Sequence, residues 1–209
     1  MLKFTKENFH PLCDELAAKN KLLQLILSEY GYPPFWIRPN SFETLVLTIL
    51  EQQVSLASAY AAYKKLKGKL QNITPKKVLQ LSDEELKACY LSRQKIVYVR
   101  ELANAILSKR INLKQLAKEN DDVVRKQLKA LKGIGDWTVD IYLLHALLRA
   151  DIFPVGDLAL LNAIKMVMNK QLTKDEIVVM AEAWKPCRSI ATMMFWHYYI
   201  KKKNIKLLH

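Results

Sequence analysis

Glycine is scarce in this sequence: only five occur in 209 residues, and three of the five fall between residues 133 and 156. Glycine admits tight turns and left-handed backbone, so this concentration points to one piece of demanding geometry. Elsewhere, apolar residues recur at spacings of three and four among helix formers, as in Phe42, Leu45, Val46, Ile49 and Leu50. Sustained strand alternation is absent. The pattern predicts an all-α protein of about nine or ten helices.

Several helix starts can be placed from the sequence. Thr74 followed by Pro75 is typical of an N-cap with proline at the first helical position. Segments 82–85 (Ser-Asp-Glu-Glu) and 173–176 (Thr-Lys-Asp-Glu) are typical of capping boxes, in which a hydroxyl and a carboxylate satisfy free backbone amides reciprocally. The proline-rich stretch 33–39 is the one extended, helix-poor connection that we expect.

The chain is strongly basic, since 33 Lys and Arg against 20 Asp and Glu give a net charge of +13. This balance favours a polyanionic partner, nucleic acid first and an anionic membrane surface second. The lysine-rich runs 64–69 and 201–203 are more typical of solvated helix faces than of a binding motif. No apolar run reaches the roughly 18 residues of a membrane span, and the first ten residues lack the apolar core of a signal peptide. We expect a soluble intracellular protein.

The cysteines exclude several kinds of site. Cys13, Cys89 and Cys187 are odd in number and far apart, so they predict neither a disulfide framework nor a zinc or iron–sulfur spacing. No metal held by side chains is therefore expected.

The glycine cluster begins in segment 131–138, Leu-Lys-Gly-Ile-Gly-Asp-Trp-Thr, with helical patterning on both sides. Two helices joined by such a Gly-x-Gly turn form a helix–hairpin–helix. The missing side chains of Gly133 and Gly135 would let a phosphate approach backbone amides at the start of the second helix, where the dipole also favours an anion. An ordinary helical hairpin with glycine C-caps is the alternative interpretation.

A second signal follows some 20 residues later, in segment 151–158, Asp-Ile-Phe-Pro-Val-Gly-Asp-Leu. Pro154 and Gly156 break the helical pattern, and Asp157 lies where the next helix begins. A carboxylate at this point could stabilise positive charge on a reacting group. It could equally serve only as an N-cap, a position that Asp fills well.

Together, these two segments resemble the helix–hairpin–helix and Gly/Pro-Asp signature of the DNA glycosylase superfamily. Segments 49–55 (Ile-Leu-Glu-Gln-Gln-Val-Ser), 91–95 (Leu-Ser-Arg-Gln-Lys) and 184–191 (Trp-Lys-Pro-Cys-Arg-Ser-Ile-Ala), the last followed by Trp196, are similar to its 3-methyladenine DNA glycosylase II branch. The resemblance implies one glycosylase domain over residues 1–209, built as two helical subdomains flanking a cleft. Its helix–hairpin–helix would span about 121–149, without the extra N-terminal sheet domain of larger relatives.

The resemblance also implies an activity: a monofunctional glycosylase of base excision repair that flips out alkylated purines, such as 3-methyladenine and 7-methylguanine, and hydrolyses the N-glycosidic bond. Asp157 would be the catalytic carboxylate. Trp137 and Trp196 would form the base pocket, where electron-rich faces attract a cationic base. The expected DNA contacts are Gln53 as the wedge in the vacated space, the hairpin residues Gly133, Gly135 and Thr138, and Arg188.

Further expectations follow from the same resemblance. Lyase-active relatives carry a lysine nucleophile just after the hairpin, where this chain has Trp137, so no strand nicking is expected. A family pocket tyrosine falls at Ile141, and Tyr142, one position along the helix, should point elsewhere. No cofactor is required, although hairpin carbonyls would hold a monovalent cation. The partner would be damaged double-stranded DNA, bound by a monomer in the cytoplasm or nucleoid.

Two other classes of function remain open on the sequence. A non-catalytic helix–hairpin–helix DNA-binding protein would share the charge and the hairpin, but it would not need Asp157, Trp137 and Trp196 together. A basic helical scaffold that binds protein or anionic membrane would show no preference for damaged over intact DNA.

Overall fold

A computed structural model describes residues 2–205; Met1 and residues 206–209 lie outside the described part. It confirms the all-α prediction, because the described residues contain no strand, only an isolated antiparallel bridge between Lys3 and Arg149. The helices are α1 Lys6–Lys19, α2 Lys21–Tyr30, α3 Phe42–Glu51, α4 Leu56–Leu70, α5 Pro75–Gln80, α6 Asp83–Ala88, α7 Arg93–Leu107, α8 Leu113–Leu116, α9 Asp121–Lys129, α10 Asp136–His145, α11 Leu158–Met168, α12 Lys174–Ala181, the 3-10 helix Glu182–Trp184, and α13 Arg188–Lys202.

The estimate of nine or ten helices was too low, since thirteen α-helices lie within the described residues. Three of the thirteen, α5, α6 and α8, have only four to six residues, and the sequence marked α5 and α6 by their caps alone. Segments this short hold less than two turns, so they cannot display the repeated apolar spacing that identifies a helix in a sequence. The stretch 33–39 contains no helix, as predicted.

The helix starts confirm the capping chemistry. Thr74 accepts a hydrogen bond from the Lys77 amide, with Pro75 at the first helical position. Ser82 and Thr173 both form complete capping boxes, each with the glutamate three residues on. These reciprocal bonds satisfy amides that have no partner within the helix.

The described chain divides into two compact units. The first combines the residues up to Ile37 with those from Leu143 on, and the second is the continuous segment Arg38–Tyr142. In the first unit, α13 packs against α1, α2 and α11, and it is buried from Ser189 to Phe195. Its core therefore joins residues from near both ends of the described chain.

The second unit is built around α3 and α7. The predicted apolar stripe of α3 is buried throughout, and α3 packs against α4 and α7. The short helices α5 and α6 also pack on α7. The apolar stripe of α7 is buried at Ile96, Val99, Leu102 and Ala103, whereas Ile106 is only half-buried.

Candidate active site and nucleic-acid interface

The predicted hairpin lies between α9 and α10, and its first glycine is required by the backbone. Gly133 has φ +87°, a conformation that side-chain-bearing residues rarely adopt. A β-carbon at this position would also overlap the ring of Tyr98. Gly135 differs, because its φ is unexceptional and nothing lies within 4 Å of the position of a β-carbon. The space beside Gly135 is the open side of the turn, where a ligand could approach the backbone.

Two ion pairs join the helices of the hairpin. Arg125 on α9 contacts Asp140 on α10 at 2.6 Å, and Lys129 contacts Asp136 at the same distance. Asp140 is only 5% exposed. Burial raises its pKa to about 6, against the opposing effect of the Arg125 charge. The hydrogen bond from Lys129 lowers the pKa of the exposed Asp136.

Asp157 caps α11 and also contacts an aromatic side chain. Its Oδ1 accepts from the Leu160 amide at 2.8 Å, which is the N-cap bond expected on the plainer interpretation. The same oxygen accepts from Trp196 Nε1 at 3.0 Å. The carboxylate is half-buried. An N-cap alone needs only the first contact, so the second one fixes Asp157 beyond the requirements of the helix.

Trp196 continues this arrangement as an aromatic stack. Its ring lies parallel to that of His145, with centroids 5.5 Å apart and an interplanar angle of 11°. His145 Nδ1 is in turn 2.9 Å from the Trp36 carbonyl oxygen. His145 could not be singled out from the sequence, because a lone histidine eight residues after Trp137 carries no recognisable pattern. The structure thus brings Asp157, Trp196 and His145 together in the first unit.

Hydrogen bonds from the start of α13 fix the segment that precedes Asp157. The buried Ser189 hydroxyl donates to the Arg149 carbonyl at 2.6 Å and accepts from the Ile152 amide at 2.9 Å. Arg188 pairs with Asp151, its Nε and Nη2 donating at 2.8 and 3.0 Å. Since these bonds fix the backbone a few residues before Asp157, they connect the predicted segment 184–191 with the carboxylate.

Two of the residues predicted to contact DNA, Arg188 and Thr138, have side chains that bind other protein groups. Arg188 was expected to contact DNA, but its guanidinium already neutralises Asp151 and also approaches Glu182 at 3.3 Å. Thr138 was expected there as well, but it is 2% exposed, and its hydroxyl accepts from Gln52 Nε2 at 2.9 Å. Their side chains are occupied in holding the fold, because both are hydrogen-bonded to neighbouring protein groups.

The other predicted residues are placed as follows. Gln53 is exposed in the turn after α3 and has φ +56°. Trp137 is half-buried near the start of α10 in the second unit. Tyr142 is buried, and its hydroxyl donates to Asn40 Oδ1 at 2.6 Å.

The lysine run 64–69 agrees with the interpretation as a solvated face. Lys67 pairs with Glu43 at 2.6 Å and Lys69 with Glu85 at 2.8 Å, so two of its charges have partners within the protein. Lys64 and Lys65 lie over tyrosine rings.

Other classes of site can be addressed within residues 2–205. No cluster of three or more His, Cys, Asp or Glu side chains able to hold a metal ion occurs there. Burial raises the pKa of the thiols of Cys13, Cys89 and Cys187, which disfavours reactive thiolates. In the same part of the chain, every helix is too short or too polar to cross a membrane.

A helical protein with a glycine hairpin and an aromatic-bound carboxylate at a helix start defines a recognisable structural class. Solved structures share its fold. The Schizosaccharomyces pombe 3-methyladenine DNA glycosylase Mag1, in complex with abasic DNA, matches with TM-score 0.84 and 24% identity over 92% of this chain and 97% of that one. The DNA-3-methyladenine glycosidase from Bacillus halodurans matches with TM-score 0.76 and 26% identity over 98% and 95%.

Sequence comparison agrees with the structural one. A Bacillus subtilis protein named DNA-3-methyladenine glycosylase is 30% identical over 197 residues, covering 87% of this chain and 65% of that protein. Residues 46–189 match the HhH-GPD superfamily of base excision DNA repair proteins. The chain belongs to this superfamily, which confirms the predicted resemblance. It spans just under two thirds of this relative and of a second from B. subtilis, 65% and 64% of their lengths.

Proposed function

We propose that this chain is a monofunctional DNA glycosylase that hydrolyses the N-glycosidic bond of alkylated purines, 3-methyladenine and 7-methylguanine among them, in double-stranded DNA. The observation that carries the proposal is the Asp157 carboxylate, held by the Leu160 amide and by Trp196 Nε1 next to an aromatic stack. The names of the relatives from B. subtilis and B. halodurans support the same chemistry and the same class of lesion.

The role of Asp157 follows from the charge that develops during bond cleavage. The sugar–base bond breaks with both electrons leaving on the base nitrogen, so positive charge builds on the sugar. A fixed carboxylate stabilises that charge without having to reorganise during the reaction. Water then bonds to the sugar carbon and releases a proton. Because an alkylated purine is cationic and departs as a neutral base, the site needs no separate acid.

Recognition of the base would fall to Trp196 and Trp137. Indole faces attract cations by about 0.5–2 kcal/mol, so they would favour an alkylated cationic base over its neutral counterpart. The stack of Trp196 on His145 keeps the Trp196 ring in a fixed orientation. Trp137 would contribute from the helix that follows the hairpin, at the position where lyases carry their nucleophile. With no lysine there, the product would be an abasic site in an intact strand.

Binding of the duplex would depend on the hairpin and on the turn after α3. The backbone amides beside Gly135 would hold a phosphate, because no atom fills the space next to its α-carbon. The exposed Gln53 would enter the space that the extruded base leaves. The enzyme would act as a monomer inside the cell, where its DNA substrate is, with no membrane partner.

A monovalent cation at the hairpin is a separate proposal. Backbone carbonyls are ligands that such ions accept, and the turn has two whose directions are fixed: Leu131 O accepts from the Ile134 amide and Gly133 O from Gln52. If the cation is bound there, DNA affinity should rise when potassium replaces choline at constant ionic strength. Equal affinities in the two salts would argue against it.

The decisive experiment is base release from methylated duplex DNA, analysed by mass, for the wild type and Asp157→Asn. Asparagine caps a helix about as well as aspartate, so the variant should fold normally while losing the charge. Asp175→Asn, in the first turn of α12, is the matched control for loss of one carboxylate.

We expect wild type and Asp175→Asn to release 3-methyladenine or 7-methylguanine without nicking the strand, and Asp157→Asn to release at most about a hundredth as much. Equal release by Asp157→Asn would show that Asp157 is only a cap. A wild type that binds DNA but releases no base of any kind would identify a non-catalytic helix–hairpin–helix protein instead.

A further inference from the structure

The side chain of Gln52 connects two parts of the second unit that are far apart in the sequence. Gln52 is the C-cap residue of α3 and immediately precedes the exposed Gln53. Its Nε2 donates to the Gly133 carbonyl at 2.8 Å and to the Thr138 hydroxyl at 2.9 Å. Both hydrogens of one side-chain amide are therefore placed on the hairpin, one on the turn and one on α10.

The turn at Gln53 has little else to hold it. Gln53, Val54 and Ser55 are all exposed. A cavity of about 290 Å³, lined in part by Leu50, Val54 and Lys95, lies beside the turn. A turn without side-chain packing on that flank depends on hydrogen bonds for its position.

Lys95 supplies a second restraint from α7. Its ammonium group donates to the Leu50 carbonyl at 2.6 Å, in the last turn of α3. A lysine in the first turn of its own helix is disfavoured by the helix dipole, but the same charge is favourable at the carbonyl end of another helix. Lys95 therefore fixes the end of α3, whereas the Gln52 side chain ties the start of the following turn to the hairpin.

We propose that Gln52 is a positioning residue for base extrusion, which holds the Gln53 turn in register with the phosphate-binding hairpin. This inference rests on the proposed function, in which Gln53 enters the DNA duplex and the hairpin amides hold a phosphate of the DNA backbone. Insertion of a side chain into the duplex is productive only when the adjacent phosphates are held at a fixed distance from it. Misplacement of about 1 Å is enough to lower a rate about 100-fold.

The test uses Gln52→Met, which keeps the length of the side chain and removes both donors, with Gln80→Met on the surface of α5 as the matched control. Single-turnover base release is measured on two duplexes. In one, the lesion is paired; in the other, it lies opposite an abasic analogue, where there is no base pair to break. A loss that comes only from general destabilisation of the protein would be equal on both.

We expect Gln52→Met to be about 10-fold slower than wild type on the paired lesion and within about 3-fold on the unpaired one. Gln80→Met should match wild type on both. Gln52→Glu should be slower than Gln52→Met on the paired lesion, because its carboxylate faces the Gly133 carbonyl oxygen. An equal loss on both duplexes, or no loss on either, would overturn the proposal.

A measurement without catalysis separates this inference from the proposed activity. 2-Aminopurine next to an abasic analogue brightens when it is unstacked, whether or not any bond is cut. At saturating protein, wild type should raise its fluorescence, and Gln52→Met should lose at least half of that rise. If wild type releases no base but this difference persists, the activity is wrong and the positioning role stands. If both proteins raise the fluorescence equally, the positioning role is wrong even for an active enzyme.

Discussion

Gly133→Ala and Gly135→Ala make the same chemical change two residues apart, and the structure predicts opposite results. Gly133 combines φ +87° with a β-carbon position that overlaps the Tyr98 ring. Gly135 has neither feature. The pair therefore separates the backbone and packing requirements of the hairpin from its proposed contact with DNA.

The magnitude at Gly133 is the sum of two effects. A left-handed backbone at a residue with a β-carbon is unfavourable by about 1–2 kcal/mol. Forcing a methyl group into an occupied space adds about 1–3 kcal/mol, because the Tyr98 ring must move. We therefore expect Gly133→Ala to lower the free energy of unfolding by about 3 kcal/mol. Gly135→Ala should change it by less than about 1 kcal/mol, since it only exchanges one residue for another at a helix start.

The assay is urea unfolding followed by circular dichroism, with the double variant Gly133→Ala/Tyr98→Ala included. Removing the ring relieves the overlap, so the double variant should be more stable than the sum of the single effects predicts, by about 1 kcal/mol or more. A Gly133→Ala protein within about 1 kcal/mol of wild type would refute the reasoning about both backbone and packing. Strict additivity would refute the role of Tyr98 alone.

Gly135, whose substitution should have little effect on stability, should matter for DNA affinity. Gly135→Ala should fold normally, but its methyl group would enter the space through which a phosphate would approach the backbone. We therefore expect about 10-fold weaker binding to duplex DNA. Fluorescence anisotropy at fixed salt measures this. Unchanged affinity would move the phosphate contact away from Gly135.

Three further outcomes follow from buried charges and from the aromatic contact. Burial raises the pKa of Asp140 from 3.8 to about 6, so the native state binds this proton more tightly than the unfolded state does. The resulting stabilisation is on the order of 3 kcal/mol. It is present below about pH 4 and is lost as the pH rises through 6. Asp140→Asn should remove that pH dependence in urea titrations, and an unchanged profile would contradict the assignment. Arg38 donates to both carboxylate oxygens of Glu51 at 2.8 and 2.6 Å, and the Glu51 side chain is 8% exposed. Arg38→Ala should therefore lower the free energy of unfolding by about 3 kcal/mol in the same assay, because it leaves a buried carboxylate unpaired. Arg38→Ala/Glu51→Gln should lower it by less, because that charge is removed as well. Trp196→Phe keeps an aromatic ring but loses the hydrogen-bond donor to Asp157. It should slow single-turnover base release about 10-fold, since a hydrogen bond to a charged group contributes about 1.5–3 kcal/mol. An unchanged rate would show that Trp196 contributes its packing and not its hydrogen bond.

Local chemistry made much of the fold predictable. The capping boxes at Ser82 and Thr173, the N-cap at Thr74 and the buried stripe of α3 all depend on residues within a few positions of one another. Interactions at that range appear directly as sequence spacing. The hairpin was predictable for the same reason, because the left-handed backbone at residue 133 favours glycine.

The contacts that complete the candidate site were not predictable in this way. Gln52 lies 81 residues from Gly133, and Arg188 lies 37 residues from Asp151. No spacing rule connects positions so far apart, so the sequence could not show that Arg188 pairs with Asp151 or that the Thr138 hydroxyl accepts from Gln52. His145 shows the same limit, since the ring on which it stacks, that of Trp196, is remote from it in the sequence.

The division of the chain has a consequence for synthesis on the ribosome. Segment Arg38–Tyr142 is continuous, so it can fold as soon as it emerges. The other unit cannot, because α1 and α2 pack against α13, and the amide of Phe4 donates to the Leu148 carbonyl. Helices α1 and α2 must therefore wait for residues that are translated after the whole of segment Arg38–Tyr142, and Trp196 is among these. The hairpin can therefore form in a nascent chain well before Asp157 acquires its aromatic partner.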